Sequence, residues 1–295
     1  MTDTPPRRTI SEILALHYLE PDLIDIFVEG STDRLLLEYF LSDTKVKVFE
    51  INRVDVPDAL VASHGFTSGA RQRVITLAAA LERGTQASQS NLSIRCIIDS
   101  DFYWLLNERL PPSRYLILTD YSCLESYWYS HNHLGKYIKV GLHSPAALRG
   151  IDIASELFPT LQELFLLRAA KSSLNLDWQW LDPTRCCEQK DGKILFNRTA
   201  FLDRFLNKNN AFHFKQNFLI EIERLRPLIS IEPSKCINGH DFVDLLAWYI
   251  KPHVSVKELS HKEVVARMLA CSAEKDVLVL HPLFAALATI SGMHP

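Results

Sequence analysis

Five carboxylates are spaced along the chain so that they could act together on a phosphate group. Glu29 and Asp99 directly follow apolar runs, Glu125 follows a third such run, and Asp33 and Asp101 come a few residues after the first two. Carboxylate oxygens suit Mg²⁺ or Mn²⁺, which can stabilise attacking and leaving oxygens in phosphoryl transfer. Because grouped carboxylates repel one another unless a cation compensates them, the pattern predicts a metal site.

Each feature also has an ordinary structural interpretation. Glu29 alone could be an exposed residue at a strand end, and Asp33 alone could complement a helix dipole. The triplet Asp99-Ser100-Asp101 alone is a common turn. The metal-site interpretation is favoured only because the features fall together at matching strand ends.

The elements that must position these carboxylates alternate between strands and helices. Short apolar runs predict strands at DLIDIFVEG (22–30), VKVFEI (46–51), LSIRCIID (92–99) and YLILTD (115–120). Helical spacing predicts helices at ISEILALHYL (10–19, capped by Thr9 or Ser11), STDRLLLEYFLSD (31–43, capped by Ser31 or Thr32), VITLAAALERG (74–84, ending at Gly84) and YSCLESYWYS (121–130). This order indicates an α/β fold, a Rossmann-like parallel sheet with helices on both faces. Ligands of such sheets bind at the carboxyl ends of the strands.

The remaining sequence predicts a mainly helical C-terminal region. We expect an α/β catalytic domain over 20–135 and a helical region over 136–295 that packs on it and contributes to dimer or partner contacts. Within that region Asp241 could cap a helix in NGHDFVDLLAWYI (238–250). Lys235 and His240 precede that helix and could meet a phosphate near its N-terminus, or they could be ordinary surface residues.

The net charge of −3 gives no global positive field for a nucleic acid. A nucleic-acid enzyme of this charge needs a bound cation or a local basic surface. Arg71, Arg73 or Lys171 could supply one, although solvated positions are the simpler interpretation for the two arginines. In a homodimer they could flank the partner's acidic site, and an apolar face of Leu161, Leu164, Phe165 and Leu167 could form the interface.

Cysteine usage and hydropathy predict a cytoplasmic protein that does not span a membrane. The six cysteines form no CxxC pair, and Cys186, Cys187, Cys236 and His240 have the wrong spacing for a common zinc site. No apolar stretch reaches the roughly 18 residues needed to cross a bilayer. The polar start of the chain does not look like a secretory signal.

Several short motifs resemble those of TOPRIM domains. Val28-Glu29-Gly30-Ser31-Thr32-Asp33 resembles their first motif, and Asp99-Ser100-Asp101 resembles their DxD motif. The segment from Thr119 to Glu125 resembles the later acidic segment of nucleases of the OLD family. The resemblance covers about residues 24–130. It implies metal-dependent nuclease activity, with Glu29 in acid/base or metal-binding work and Asp99, Asp101 and Glu125 on the metal; the general base is left open between Glu29 and an activated water.

A second resemblance is to stand-alone TOPRIM-like proteins, carried by VEGSTDRLLLEYF (28–40), IIDSDF (97–102), TDYSCLESYW (119–128) and INGHDFVDLL (237–246). Some members are effectors of prokaryotic antiphage defence systems such as PARIS. This resemblance implies an ATPase partner that holds the nuclease until a phage trigger releases it, and host RNA, tRNA in particular, as the substrate.

Two other functions stay open at the level of sequence. A phosphatase with a DxD motif would need its nucleophilic aspartate on the first core strand, usually within DxDxT, whereas Phe102 and Tyr103 follow the pair in this chain. A non-catalytic TOPRIM module is disfavoured because a decayed site usually loses a carboxylate, and none of the expected positions is lost.

Overall fold

The computed structural model of the chain describes residues 6–86 and 92–293. The chain divides into two compact units. The sheet unit comprises 1–100, 109–120 and 274–295, and the helical unit comprises 101–108 and 121–273. This division differs from the expected boundary at residue 135, because the last two helices belong to the sheet unit and residues 121–135 belong to the helical unit.

The strands of the described residues are β1 (Arg8–Thr9), β2 (Asp25–Val28), β3 (Lys47–Glu50), β4 (Val54–Asp55), β5 (Ile94–Ile98), β6 (Leu116–Leu118), β7 (Cys187–Lys190) and β8 (Lys193–Phe196). The α-helices are α1 (Ile10–Leu19), α2 (Ser31–Phe40), α3 (Asp58–Ser63), α4 (Ala70–Gln86), α5 (Tyr103–Leu106), α6 (His131–Lys136), α7 (Ile153–Ser173), α8 (Arg198–Lys208), α9 (Lys215–Leu225), α10 (Gly239–Ile250), α11 (Lys262–Ser272), α12 (Lys275–Leu278) and α13 (Pro282–Ser291).

The sheet unit contains a four-stranded parallel sheet in the order β3-β2-β5-β6. The connection from β2 to β3 and the connection from β3 to β5 run in opposite directions across the sheet. Right-handed crossovers therefore place α2 and α4 on opposite faces. Phe27, Ile94 and Cys96 pack with residues of α1 and α4 in one core cluster. The predicted mixed α/β fold with a parallel sheet is confirmed.

Helix α1 begins as the sequence predicts, but α4 does not end as predicted. Thr9 caps α1 and forms a reciprocal capping box with Glu12. Helix α4 continues past Gly84 to Gln86, so the prediction of a terminal glycine is wrong. The reason lies in packing: a Cβ at position 84 would stand 2.7 Å from the Leu14 side chain, so glycine lets α1 approach α4 closely.

The helical unit is built around a cluster of apolar and aromatic side chains. Phe201, Phe205 and Phe218 are fully buried there, and the Trp178 ring contacts Phe205 and Phe218 at centroid distances of 5.6 Å. Strands β7 and β8 form an antiparallel hairpin in this unit. Its turn, Asp191-Gly192, has positive φ at both residues, as a tight hairpin turn requires.

Two further expectations fail in the helical unit. The segment 121–130 forms a short 3-10 helix, Leu124–Trp128, instead of an α-helix. The apolar face proposed for a dimer, Leu161, Leu164, Phe165 and Leu167, is buried within the chain at 0–2% exposure. These side chains fill the protein's own core, so they are not available to a second copy.

None of the described helices combines the length and the apolar character needed to cross a membrane.

Candidate functional site

Glu29 and Asp99 lie at the carboxyl ends of two neighbouring strands. Each directly follows its strand, β2 or β5, and the two strands pair in parallel through Phe27 and Cys96. The Asp99 backbone N–H donates a hydrogen bond to Oε1 of Glu29 at 3.2 Å. The two residues are 70 positions apart in sequence. The sheet therefore brings together the two predicted ligands that end its central strands.

Asp33 lies in the first turn of α2, immediately after Glu29 and Gly30. Its Oδ2 accepts the backbone N–H of Gly30 at 3.1 Å. Gly30 itself occupies the N-cap position, with Ser31 as the first helical residue, so the prediction of Ser31 or Thr32 as the cap is wrong. The Asp33 carboxylate therefore forms one half of a capping box. The other half is missing, because glycine has no side chain that could accept a hydrogen bond from the helix.

Buried polar contacts fix the ends of β5 and β6. The Ser100 N–H donates to Oγ1 of Thr119 at 2.9 Å, and the Ser100 hydroxyl donates to the Thr119 carbonyl oxygen. Both residues are almost fully buried. These hydrogen bonds hold the loop that carries Asp99, so Asp99 is positioned by a rigid backbone. Sequence reasoning missed this role of Ser100 and Thr119, although a small polar residue between two aspartates is a visible signal.

The Asp-Ser-Asp motif passes from the sheet unit into the helical unit between Ser100 and Asp101. Asp101 adopts a left-handed conformation with φ of 44°, which aspartate tolerates better than most residues do. Within the helical unit its N–H donates to the Ser122 carbonyl at 2.8 Å. Ser122 in turn donates through its hydroxyl to the carbonyls of Ser234 and Ile237, at 3.1 Å and 2.6 Å.

Glu125 lies against the N-terminal turn of α10 in the helical unit. A Cβ on Gly239, the first residue of that helix, would overlap the Glu125 carboxylate. Glycine leaves room for the carboxylate in this position, and the positive end of the helix favours a carboxylate there. Gly239 was not predicted as a site residue; its signal in the sequence is a glycine between a capping residue and a helix.

Lys235 and His240 are both exposed, before and within the first turn of α10. The Lys235 ammonium pairs with Glu232 at 2.8 Å, and this hydrogen bond raises the pKa of Lys235. Asn238, and not Asp241, caps the helix. Asp241 is instead buried, and its carboxylate accepts hydrogen bonds from Nε and Nη2 of Arg168, at 2.6 and 2.8 Å. The prediction of Asp241 as a cap is therefore wrong.

The basic residues suggested as phosphate contacts are largely engaged elsewhere. Arg73 forms an ion pair with Asp58 at 2.6 Å and donates to the Val56 carbonyl. Burial lowers the pKa of Lys171. The phosphate-binding roles of Arg71 and Lys171 stay predictions.

Among the described residues, no three His, Cys, Asp or Glu side chains form a group able to hold a metal ion. Neither the five predicted carboxylates nor Cys186, Cys187, Cys236 and His240 supply such a group in that part of the chain. Mg²⁺ is commonly held by one or two carboxylates together with waters and substrate phosphates. Glu29 and Asp99 provide such a pair of hard oxygen donors, so their chemistry fits Mg²⁺ or Mn²⁺ bound with a phosphate substrate.

No protein-family model matches this chain, and no curated protein matches it either.

Proposed function

We propose that the protein is a Mg²⁺- or Mn²⁺-dependent nuclease with a TOPRIM-type site. The observation that carries the proposal is the position of Glu29 and Asp99 at the carboxyl ends of paired parallel strands, joined by the hydrogen bond from the Asp99 N–H. This is the edge at which open α/β sheets bind their ligands. The TOPRIM resemblance of the motifs around both residues supports the same assignment.

Glu29 and Asp99 would hold the metal ion, which would supply charge neutralisation at the scissile phosphate. The Asp99 N–H orients the Glu29 carboxylate, so its geometry does not depend on a flexible side chain alone. The anchoring of Ser100 to Thr119 keeps Asp99 at the strand end. The roles expected for Asp33, Asp101, Glu125, Lys235 and His240 stay predictions.

We propose RNA, and tRNA in particular, as the substrate, with an antiphage effector role under the control of an ATPase partner. The support is the resemblance of residues 28–40, 97–102, 119–128 and 237–246 to stand-alone TOPRIM-like effectors. We also propose a homodimer as the active form, to be tested by light scattering of the active protein.

A nuclease assay with a matched pair of variants tests the proposal. Glu29→Gln and Glu20→Gln make the same chemical change, and Glu20 is an exposed residue after α1. Purified proteins are incubated with tRNA, single-stranded RNA, single-stranded DNA and duplex DNA, each with Mg²⁺, Mn²⁺ or EDTA. We expect metal-dependent cleavage by wild type and by Glu20→Gln, and none by Glu29→Gln at an unchanged melting temperature.

Other outcomes would contradict the proposal. Cleavage by Glu29→Gln at the wild-type rate would show that Glu29 has no part in the mechanism. Cleavage in EDTA would show that the reaction does not need a metal ion. Hydrolysis of a simple phosphomonoester with every nucleic acid left intact would favour the phosphatase. For the effector role, we expect growth arrest and RNA damage when the chain is expressed alone, and arrest that persisted in Glu29→Gln would show that the toxicity is not nucleolytic.

A further inference from the structure

Three arginines line a cavity at the edge of the sheet, one strand away from Glu29. The cavity has a volume of about 420 Å³, and Arg8, Arg34 and Arg53 line it together with Phe49, Glu38 and Glu50. All of these residues belong to the sheet unit. Three guanidinium groups against two carboxylates give this lining a net charge of +1, in a protein whose net charge is −3.

The cavity lies along the outer strand of the sheet, β3. Strand β3 is the edge strand of the four-stranded sheet. Val48 and Phe49 are successive residues of this strand and so point to opposite faces, yet both line the cavity. Arg34 reaches it from α2, whereas Arg8 belongs to β1 and Arg53 directly precedes β4.

Arg34 is held in place by the protein and still has donors to offer. Its Nε donates to Glu50 at 3.0 Å, and its Nη1 donates to Glu38 at 2.9 Å. A guanidinium group carries five N–H donors. In the described part of the chain Nη2 of Arg34 has no hydrogen-bond partner. A guanidinium fixed by two carboxylates, with one nitrogen unused, is preorganised for an anion.

Arg8 and Arg53 provide the charge that carboxylates of the lining do not neutralise. The Arg8 guanidinium lies over the Phe49 ring at 5.2 Å, and that ring stacks on Phe27 at 5.7 Å. The nearest carboxylate of Arg8 is that of Asp25, at 3.9 Å. Arg53 is exposed and makes no ion pair with any described residue. An unstacked base can stack on such a guanidinium plane while its phosphates meet the other arginines.

The register of the sheet sets the cavity next to the candidate site. Glu50, on the cavity wall, pairs with Val28 in β2, and Glu29 is the next residue after Val28. Neighbouring strands are about 4.8 Å apart. Arg34, in turn, directly follows Asp33 in α2. A chain of phosphates bound in the cavity would therefore lie one strand from Glu29, after β2, and two strands from Asp99, after β5.

We propose that this cavity binds backbone phosphates of single-stranded nucleic acid beside the Glu29 site. The inference rests on the proposed nuclease function, because it assigns the track along which the substrate enters. The cavity also provides the local basic surface that a protein of net negative charge needs to hold a polyanion.

Binding measured without catalysis tests this inference. Fluorescence anisotropy with a labelled single-stranded RNA of ten nucleotides is recorded in EDTA, at several salt concentrations. The variant is Arg53→Ala, and the matched control is Arg109→Ala, which removes an exposed arginine elsewhere in the sheet unit. We expect a Kd roughly tenfold higher for Arg53→Ala, from the loss of a charged hydrogen bond. The slope of log K against log salt should become shallower by about 0.7 for each lost phosphate contact. Arg109→Ala should leave both unchanged, and Arg53→Lys should recover part of the affinity.

Other results separate the inference from the nuclease proposal. Equal affinity and equal salt slope for Arg53→Ala and Arg109→Ala, in a protein that cleaves RNA, would overturn the inference alone. Binding that depends on Arg53, in a protein that cleaves no nucleic acid, would support the inference and overturn the nuclease. An acidic peptide that binds through Arg53 and adds to the edge of β3, with no affinity for RNA, would overturn the inference in favour of a protein ligand.

Discussion

Carboxylates at the end of the sheet and carboxylates in the helical core are positioned in different ways. In the sheet unit Glu29 and Asp99 directly follow paired strands, and the Asp99 backbone N–H donates to the Glu29 carboxylate. In the helical unit the buried carboxylates of Asp241 and Glu221 accept bonds from arginine side chains. The first arrangement places carboxylates at the carboxyl edge of the sheet, and the second pairs them with arginines inside a core.

The contrast lies in what fixes each carboxylate. A strand end sets the place of a carboxylate through the pairing of the sheet. A carboxylate in a helical core has no such support and costs several kcal/mol unless it is paired. Substitutions that remove one carboxylate from each unit test this distinction.

The largest expected effect is on catalysis, from Asp99→Asn. The substitution keeps the backbone N–H that donates to Glu29 but removes the charge of the carboxylate that is proposed to hold the metal. We expect the cleavage rate to fall at least ~100-fold. Loss of a residue that only hydrogen-bonds to a metal ligand already lowers activity by up to that factor. The melting temperature should stay constant or rise slightly, because repulsion from Glu29 is relieved.

Asp22→Asn is the control for this prediction, because Asp22 is exposed in the sheet unit, before β2. It should change neither activity nor stability. A loss of stability in Asp99→Asn comparable with a core defect would mean that Asp99 holds the fold together, and the contrast between the units would fail.

The second effect is on stability, from Asp241→Ala in the helical unit. The substitution leaves Arg168, which also lies over the Trp180 ring at 4.2 Å, without its carboxylate. Breaking a buried pair from one side costs about 3–5 kcal/mol, and the partial exposure of Arg168 favours the lower end. Urea denaturation measures it. Asp203→Ala, which breaks a more exposed pair with Lys215, should cost about 0–1 kcal/mol. Similar losses in both variants would show that Asp241 is not a special structural carboxylate.

The strands of the sheet unit could be predicted from sequence because each is a short apolar run followed by a polar residue. The runs at 22–30, 46–51, 92–99 and 115–120 contain β2, β3, β5 and β6. The position of Glu29 and Asp99 at their ends follows from the same pattern. The order of the strands does not, because it depends on which runs pair across the sheet. The tight turn at Asp191-Gly192 was a visible hairpin signal that the sequence interpretation passed over.

The failures share a cause, which is contact between residues far apart in the chain. Gly84 looks like a helix end, but it lies within α4, where the Leu14 side chain packs too closely for a Cβ. The segment 121–130 has helical spacing, but Ser122 is tied to the carbonyls of Ser234 and Ile237, and a 3-10 turn results. Asp241 looks like a cap, but its partner Arg168 is 73 residues away. Local patterns do not contain this information.

The smallest effect comes from two glycines of the helical unit that differ only in their neighbours. Gly239 opens α10 against the Glu125 carboxylate, whereas a Cβ on Gly135, an exposed residue within α6, would meet nothing within 4 Å. Gly239→Ala forces the Glu125 carboxylate away from the first turn of α10, and we expect a loss of about 0.3–1 kcal/mol of unfolding free energy as its interaction with the helix dipole weakens. Gly135→Ala should instead gain about 0.5–1 kcal/mol, because alanine favours the helix. Chemical denaturation of both variants gives the two values.

If Glu125 binds metal as predicted, Gly239→Ala should also weaken Mn²⁺ affinity in calorimetry while Gly135→Ala leaves it unchanged. A stabilising Gly239→Ala would show that Glu125 is free to move away, and that it is not a carboxylate held at a fixed position.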